Sequence, residues 1–163
     1  MTTHELGRHK DRLLATVRKA GELGYDAELL GHWGRYTCVL CAGFLENALR
    51  ILYADHARAK SQKDVARYVE NSLRRIQNPK GSRFVEVATS FDATLGESLK
   101  CYLDEDDGKR RNAIDSIMNH RNLIAHGKES TISVAAVQSY LSVSLEVVDF
   151  IQRQCANPQG RSN

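Results

Sequence analysis

The sequence predicts an all-helical fold, and three observations support this prediction. Only two prolines occur among the 163 residues. No run of strand-forming residues is bounded by turn signals. Apolar residues instead recur three and four positions apart, as on the buried face of a helix. With 42% hydrophobic and 26% charged residues, the composition is that of a globular protein. We expect one domain over residues 1–156 and a fraying tail at 157–163, which has no apolar residue.

Local signals place the ends of several of these helices. Asn78-Pro79-Lys80-Gly81 ends the third helix, because proline and glycine interrupt helices. The acidic stretch 104–108 is predicted to be a loop, and Gly127 is placed to cap the helix that follows it. Thr131 or Ser133 can supply the N-cap of the last helix. In chain order, helices are predicted around 13–23, 39–52 (the best candidate for a central helix), 65–76, 84–88, 95–103, 114–125 and 134–148.

Charge and hydropathy exclude several classes of protein. The 23 basic and 20 acidic residues leave a net charge of +3, which is too small to indicate nucleic-acid binding by charge alone. The longest stretch without charge, 130–145, is interrupted by serines and Gln138, so no membrane-spanning segment is expected. Residues 1–12 lack the apolar core of a signal peptide. A cytoplasmic location without membrane association is therefore expected.

The four cysteines favour buried thiols over disulfides in a reducing compartment. Cys38 and Cys41 have CxxC spacing, but they lie in an apolar stretch without a second ligand pair. A metal or redox role for them is the less favoured alternative. His4, His9, His32 and His56 show no metal-ligand spacing. No metal or cofactor is therefore expected.

The segment 119–127 carries the most informative chemistry in the chain. Arg121 and His126 are five residues apart, which on one helix separates them by about 140° around the axis. Asn122 and His126, four apart, share a face. Two copies related by a two-fold axis could surround one phosphate with both an arginine and a histidine from each subunit.

This combination suits metal-independent RNA cleavage by the 2′-hydroxyl. Histidine gives or takes a proton near neutral pH. The planar guanidinium of arginine binds phosphate oxygens through two hydrogen bonds and stabilises the charge that develops at phosphorus. Asn122 could hold His126 or the phosphate in place. The alternative for both residues is structural, with His126 bonding the last carbonyls of a helix and Arg121 solvated or paired.

At these residues the chain resembles the HEPN superfamily (higher eukaryotes and prokaryotes nucleotide-binding domains). The family's signature is an arginine, usually followed by a polar residue, and a histidine a few positions later. The similarity extends from about Tyr36 to Ile151 and points to the RiboL-PSP-HEPN subgroup. Besides 121–127, the segments that carry it are 44–50, 68–73, 77–79 and 90–92.

The resemblance implies an all-α up-and-down helical bundle with extra short helices. It implies a homodimer whose shared cleft holds two copies of the motif, and often a metal-independent endoribonuclease. Arg121 and His126 would then be catalytic, and Asn122 would tune the site. Family members serve as toxins, antiphage effectors or RNA-processing enzymes. Other members have lost catalysis and bind RNA, nucleotides or a partner protein such as an antitoxin, and this is the alternative function.

Further polar residues are candidates for support of the site. Glu46 and Asn47 interrupt the apolar face of the predicted central helix, so they either support Arg121 and His126 or are solvated or bonded to another helix. Cationic residues and one histidine could also guide an RNA backbone, although charged runs are usually solvated. These are His120, Arg35, Arg50, Lys109, Arg110 and Arg111.

Overall fold

The computed structural model describes residues 3–22 and 27–156, and every regular element there is a helix. No strand occurs in these two ranges, so the predicted all-helical class is confirmed. Leu23 and the tail 157–163 lie outside the described residues. The helices are α1 (Thr3–Glu22), α2 (Ala27–Lys60), α3 (Lys63–Leu73), α4 (Gly81–Phe91), α5 (Ala93–Ala125) and α6 (Val134–Ala156).

The four long helices form an up-and-down bundle, with α3 and α4 as short additions between α2 and α5. α1 and α5 run in the direction opposite to α2 and α6. α2 packs against α1, α3, α5 and α6, which confirms the predicted central helix. The contacts that fix these directions are Thr3–Asp55 and His9–Phe44 (α1 on α2), Lys10–Asp149 and Val17–Gln138 (α1 on α6), and Tyr102–Phe150 and Arg110–Glu146 (α5 on α6).

The core is apolar and draws on all six helices. Phe44, Phe84 and Leu99 are completely buried, and so are Met118 and Ile151. α2 supplies more than a dozen buried positions, and it extends well beyond the predicted range 39–52 at both ends. Burial of these side chains is the main favourable contribution to folding, at about 1.5–3 kcal/mol for each large apolar group.

An acidic break divides α5 into two halves. Glu105 is extended (φ −57°, ψ 159°), and the next three residues take left-handed conformations, with φ of 52°, 56° and 72° at Asp106, Asp107 and Gly108. Asp and Gly are among the residues that best tolerate this conformation. The predicted loop at 104–108 is therefore confirmed as a break within one long element.

Local signals at the other helix ends are mostly as predicted. The hydroxyl of Ser133 accepts a hydrogen bond from the Ala136 N–H at 3.1 Å, so Ser133, and not Thr131, caps α6. α3 ends at Leu73, three residues earlier than predicted. Gly81 does not lie in a loop but begins α4, where its N–H donates to the carboxylate of Asp115 at 2.7 Å.

Two helices, α2 and α6, are long and apolar enough to cross a membrane by length and composition, although the sequence led us to expect no such segment. In α2, 67% of the most apolar stretch is buried inside the protein, and in α6 the share is 44%. Core helices have the same properties, and the packing of α2 on four neighbours is that of a core helix.

Candidate functional site

The motif occupies the last two turns of α5. His126 is the C-cap residue and is exposed, and its N–H donates to the Asn122 carbonyl. Gly127, with φ of 64°, and Lys128 then bond the carbonyls of Ile124 and Leu123 at 3.1 and 2.9 Å. This pair of bonds is a Schellman motif, so Gly127 caps the helix as predicted. The imidazole is thereby presented at an exposed helix end.

Arg121 is partly buried one turn before the cap. Its guanidinium lies 3.4 Å from the amide oxygen of Asn122. It forms no ion pair with any carboxylate in the described ranges, whereas Arg58 and Arg110 are each held by two or more. An arginine that is partly desolvated but not neutralised is suited to binding an external anion such as a phosphate.

The two motif side chains do not converge within one subunit. Five residues of helix separate their Cα atoms by about 7.5 Å along the axis and about 140° around it. The structure brings the side chains of Arg121 and Asn122 together, while no side-chain hydrogen bond links His126 to either of them. A site in which both groups reach one phosphate therefore needs a second contributor or a long substrate that bridges the two faces.

Two contacts anchor the segment that follows His126, one to α5 and one to α2. The His120 Nδ1 lies 3.0 Å from the hydroxyl of Ser130, which is buried. Gly34 of α2 approaches the backbone of Ile132 so closely that a Cβ atom would overlap the Ile132 carbonyl oxygen. His120 thus connects α5 to the segment that follows it, and its contact with RNA stays a prediction. The spacing of residues in the sequence did not predict these contacts. Ser130 belongs to no motif, and Ile132 is far from Gly34 in the chain.

The thiol of Cys38 lies against the motif helix itself. Its Sγ donates to the Ile117 carbonyl at 3.5 Å. Burial raises the pKa of this thiol to about 11, against the opposing effect of a hydrogen bond from the Arg121 backbone. Cys38 therefore packs beside the turn that carries Arg121.

The other cysteines are free thiols as well. Burial also raises the pKa of Cys41, so the CxxC pair is a set of protonated core thiols. Cys101 is exposed, which corrects the expectation that all four are buried.

Glu46 and Arg50 bind the loop that precedes α4, at a distance from the motif. They form an ion pair at 2.7 Å. Glu46 also accepts from the Asn78 N–H at 2.6 Å, and Arg50 donates to the Ile76 carbonyl. Glu46 is eight residues beyond Cys38, about 12 Å along α2. Of the two predicted roles for Glu46, the structure supports the bond to another segment.

Asn47, on the same stretch of α2, is partly buried, and no contact joins it to the motif.

The basic cluster after the acidic break is largely committed to structure. The Arg110 side chain is only 14% exposed and pairs with Glu105, Asp106 and Glu146. Its guanidinium also stacks 4.0 Å from the centre of the Tyr102 ring. The neighbouring Arg111 pairs with Asp104 at 2.7 Å, whereas Lys109 is exposed. Of the three basic residues in this cluster, Lys109 is the exposed one, and its role as an RNA guide stays a prediction.

Within the described ranges, no group of three or more His, Cys, Asp or Glu side chains is arranged to hold a metal ion. The site consists of a guanidinium, an amide and an imidazole. Such a set can bind a phosphate and transfer protons.

Comparisons with known proteins agree with the resemblance stated above. The family model described as RiboL-PSP-HEPN matches residues 5–157. No curated protein and no solved structure shows a significant match to the chain. The matched range spans α1 from residue 5 onward, the whole of α2 to α6, and the positions of Arg121 and His126. The chain therefore belongs to the RiboL-PSP-HEPN family and is a HEPN-type domain.

Proposed function

We propose that this protein is a metal-independent endoribonuclease. The single observation that carries the proposal is a partly buried Arg121 without a carboxylate partner among the described residues, one turn before an exposed His126. Membership of a HEPN family supports it. RNA supplies both the phosphate that the arginine binds and the 2′-hydroxyl that attacks it.

In this reaction the 2′-oxygen attacks the adjacent phosphorus and the bond to the 5′-oxygen breaks. A histidine takes the proton from the 2′-hydroxyl, and a second one donates a proton to the departing 5′-oxygen. Arg121 stabilises the five-coordinate phosphorus through its two parallel N–H groups. Asn122 orients the guanidinium. The products are a 2′,3′-cyclic phosphate and a 5′-hydroxyl.

We propose that the competent site forms in a homodimer. Two histidines are needed for the two proton transfers, and one subunit has only one in the motif. Two apolar side chains of α2 close to Cys38 in the sequence are exposed, namely Tyr36 (53%) and Val39 (40%). Leu123 is partly exposed, whereas Ile124 packs against the core. A second copy that covers Tyr36, Val39 and Leu123 would place the two motifs face to face.

The biological setting belongs to the same proposal. A cytoplasmic toxin or antiphage effector, restrained by an antitoxin or another regulatory protein, fits an enzyme that cuts RNA without a cofactor. The competing function is a non-catalytic module that binds RNA, a nucleotide or a protein in the same cleft. An unpaired Arg121 suits this function too, because it can bind a phosphate without cutting the chain.

Incubation of the pure protein with labelled RNA in EDTA tests the proposal. We expect cleavage with cyclic-phosphate ends, and its loss in His126→Ala. The matched control is His4→Ala, which removes an exposed histidine from the start of α1, at the opposite end of the bundle. Binding of RNA without cleavage by the folded wild type would favour the non-catalytic module. Loss of activity in EDTA with recovery on addition of magnesium would exclude the metal-free mechanism.

A further inference from the structure

A cationic surface lies at the other end of the molecule, where α2 ends and α3 begins. An open cavity of about 700 Å³ is lined by eight residues, of which four are basic and one is acidic. The basic residues are Arg58, Lys63, Arg67 and Arg74. This surface is distinct from the basic residues that the sequence singled out, and it concentrates positive charge in a protein whose net charge is only +3.

The single carboxylate of the cavity is fully engaged. Glu70 accepts from Arg58 at 2.8 Å and from Arg74 at 3.1 Å. The hydrogen bond from Arg58 is the main reason that the pKa of Glu70 lies below its usual range, so it stays ionised and neutralises one positive charge. Lys63 and Arg67 form no ion pair with any described carboxylate. The cavity therefore keeps an excess of positive charge that faces solvent.

The opposite side of α3 is apolar and carries an exposed aromatic ring. Tyr68 is 74% exposed and Val65 is 52% exposed. Both line a groove of about 810 Å³ between α3 and α4, whose apolar surface includes Leu73 and Phe91. Ser61 lines both the groove and the cationic cavity. α3 is thus a ridge with cations on one side and an aromatic, apolar groove on the other.

We propose that this ridge binds single-stranded RNA. The phosphates follow the cationic cavity past Lys63 and Arg67, and unstacked bases cross the ridge to stack on Tyr68 and enter the groove. Charge complementarity favours this ligand over an apolar peptide, because a peptide would leave the cations of the same helix without partners. Single-strand binding surfaces combine these two features, since every base has a face that can stack.

The ridge is separate from the motif. Arg58 lies 20 residues beyond Cys38 on α2, about 30 Å along the helix. The inference rests on the proposed function only in its choice of RNA as the polymer. The ridge would hold a strand at a distance from the bond that is cut, and would raise the local concentration of substrate at the motif.

Binding measurements in a His126→Ala background test the ridge without cleavage of the probe. The probe is a short fluorescent oligouridine, and its anisotropy is followed over a range of KCl concentrations. Arg67→Ala should weaken binding several-fold and lower the slope of log affinity against log salt by about 0.7, the loss of one phosphate contact. Tyr68→Ala should weaken binding at least about fivefold with little change in slope, because it removes base stacking. Both side chains are exposed, so both variants should melt like their parent.

The matched control is Arg12→Ala, which removes an exposed arginine from α1. It should bind RNA like its parent. Equal weakening by Arg12→Ala and Arg67→Ala would overturn the proposal, because general charge would then explain the binding. Unchanged affinity in Arg67→Ala and Tyr68→Ala would also overturn it and leave the groove to a protein partner.

The outcomes separate this proposal from the proposed function. If His126→Ala cuts RNA as well as the wild type does, the catalytic assignment fails, while weaker binding by the ridge variants still supports the ridge. If Arg67→Ala and Tyr68→Ala bind RNA as tightly as their parent, the proposed RNA-binding ridge is wrong, whether or not His126 is catalytic.

Discussion

Gly34 lies so close to the segment after the motif that its replacement by alanine should destabilise the protein. A second glycine of the same helix, Gly43, provides the comparison. In Gly34→Ala, the new Cβ would lie closer than 3.0 Å to the Ile132 carbonyl oxygen, and 3.2 and 3.3 Å from the carbonyl carbons of Ile132 and Ser133. These atoms are backbone, so a side-chain rotation cannot relieve the overlap. The helix and the segment must move apart, or the alanine must be strained.

The magnitude follows from two opposing effects. Overpacking costs about 1–3 kcal/mol, and backbone displacement belongs at the upper end. Alanine in a helix interior is favoured over glycine by roughly 1 kcal/mol. The net loss in the free energy of unfolding is therefore about 2 kcal/mol for Gly34→Ala, or roughly 4–8 °C in Tm for a chain of this size.

Gly43→Ala is the matched control, because Gly43 lies in the interior of the same helix and a Cβ there meets nothing within 4 Å. It should gain up to about 1 kcal/mol. The two variants are compared by urea denaturation followed by circular dichroism. Equal stabilisation by both substitutions would refute the packing of α2 on the Ile132 segment.

Three further predictions follow from other contacts. Ser130→Ala removes the partner of His120 and should lower the free energy of unfolding by about 1 kcal/mol in urea denaturation; no loss would mean that this hydrogen bond is not formed in solution. The hydrogen bond from Arg111 holds the pKa of Asp104 below its usual range, so its stabilisation is present above the unfolded pKa and is lost as the pH falls through the folded one. Asp104→Asn should therefore be less stable than the wild type at pH 7, with the difference vanishing as the pH falls below the folded pKa of Asp104; a pH-independent difference would contradict the ion pair. Cys101 is the one exposed thiol of the four, while Cys38 and Cys41 are buried and Cys155 is partly buried. Ellman's reagent should therefore react rapidly with Cys101 in the native protein and with all four thiols after denaturation, whereas four rapid reactions in the native protein would contradict the burial of Cys38 and Cys41.

Local signals in the sequence predicted much of the fold. The position of Gly127 and the hydroxyl of Ser133 specify helix ends through contacts within a few residues, and both ends lie where they were predicted. The acidic stretch before Gly108 likewise contains residues that tolerate left-handed backbone. Spacing of apolar residues was enough to identify α2 as the central helix.

The sequence could not show which distant residues meet. Gly34 lowers the helix propensity of the first part of α2, which the predicted range 39–52 left out, and only its contact with Ile132 explains the glycine. Arg110 resembled a free cation in the sequence, but three carboxylates and a ring enclose it. Glu46 was a candidate for the site because of its place in an apolar helix, while its partners are Arg50 on the same helix and the Asn78 N–H in the loop before α4.

The central claim is that the competent site combines groups from two subunits, and a heterodimer tests it most directly. Wild-type and His126→Ala subunits with different affinity tags are co-expressed, and the heterodimer is purified through both tags. In EDTA the wild-type homodimer should cleave RNA, and the His126→Ala homodimer should be inactive.

The heterodimer retains both arginines but only one of the two motif histidines. We expect it to be as inactive as the His126→Ala homodimer, because one of the two proton transfers then has no histidine. A purified heterodimer with about half of the wild-type activity would contradict the composite site, because each subunit would then act alone.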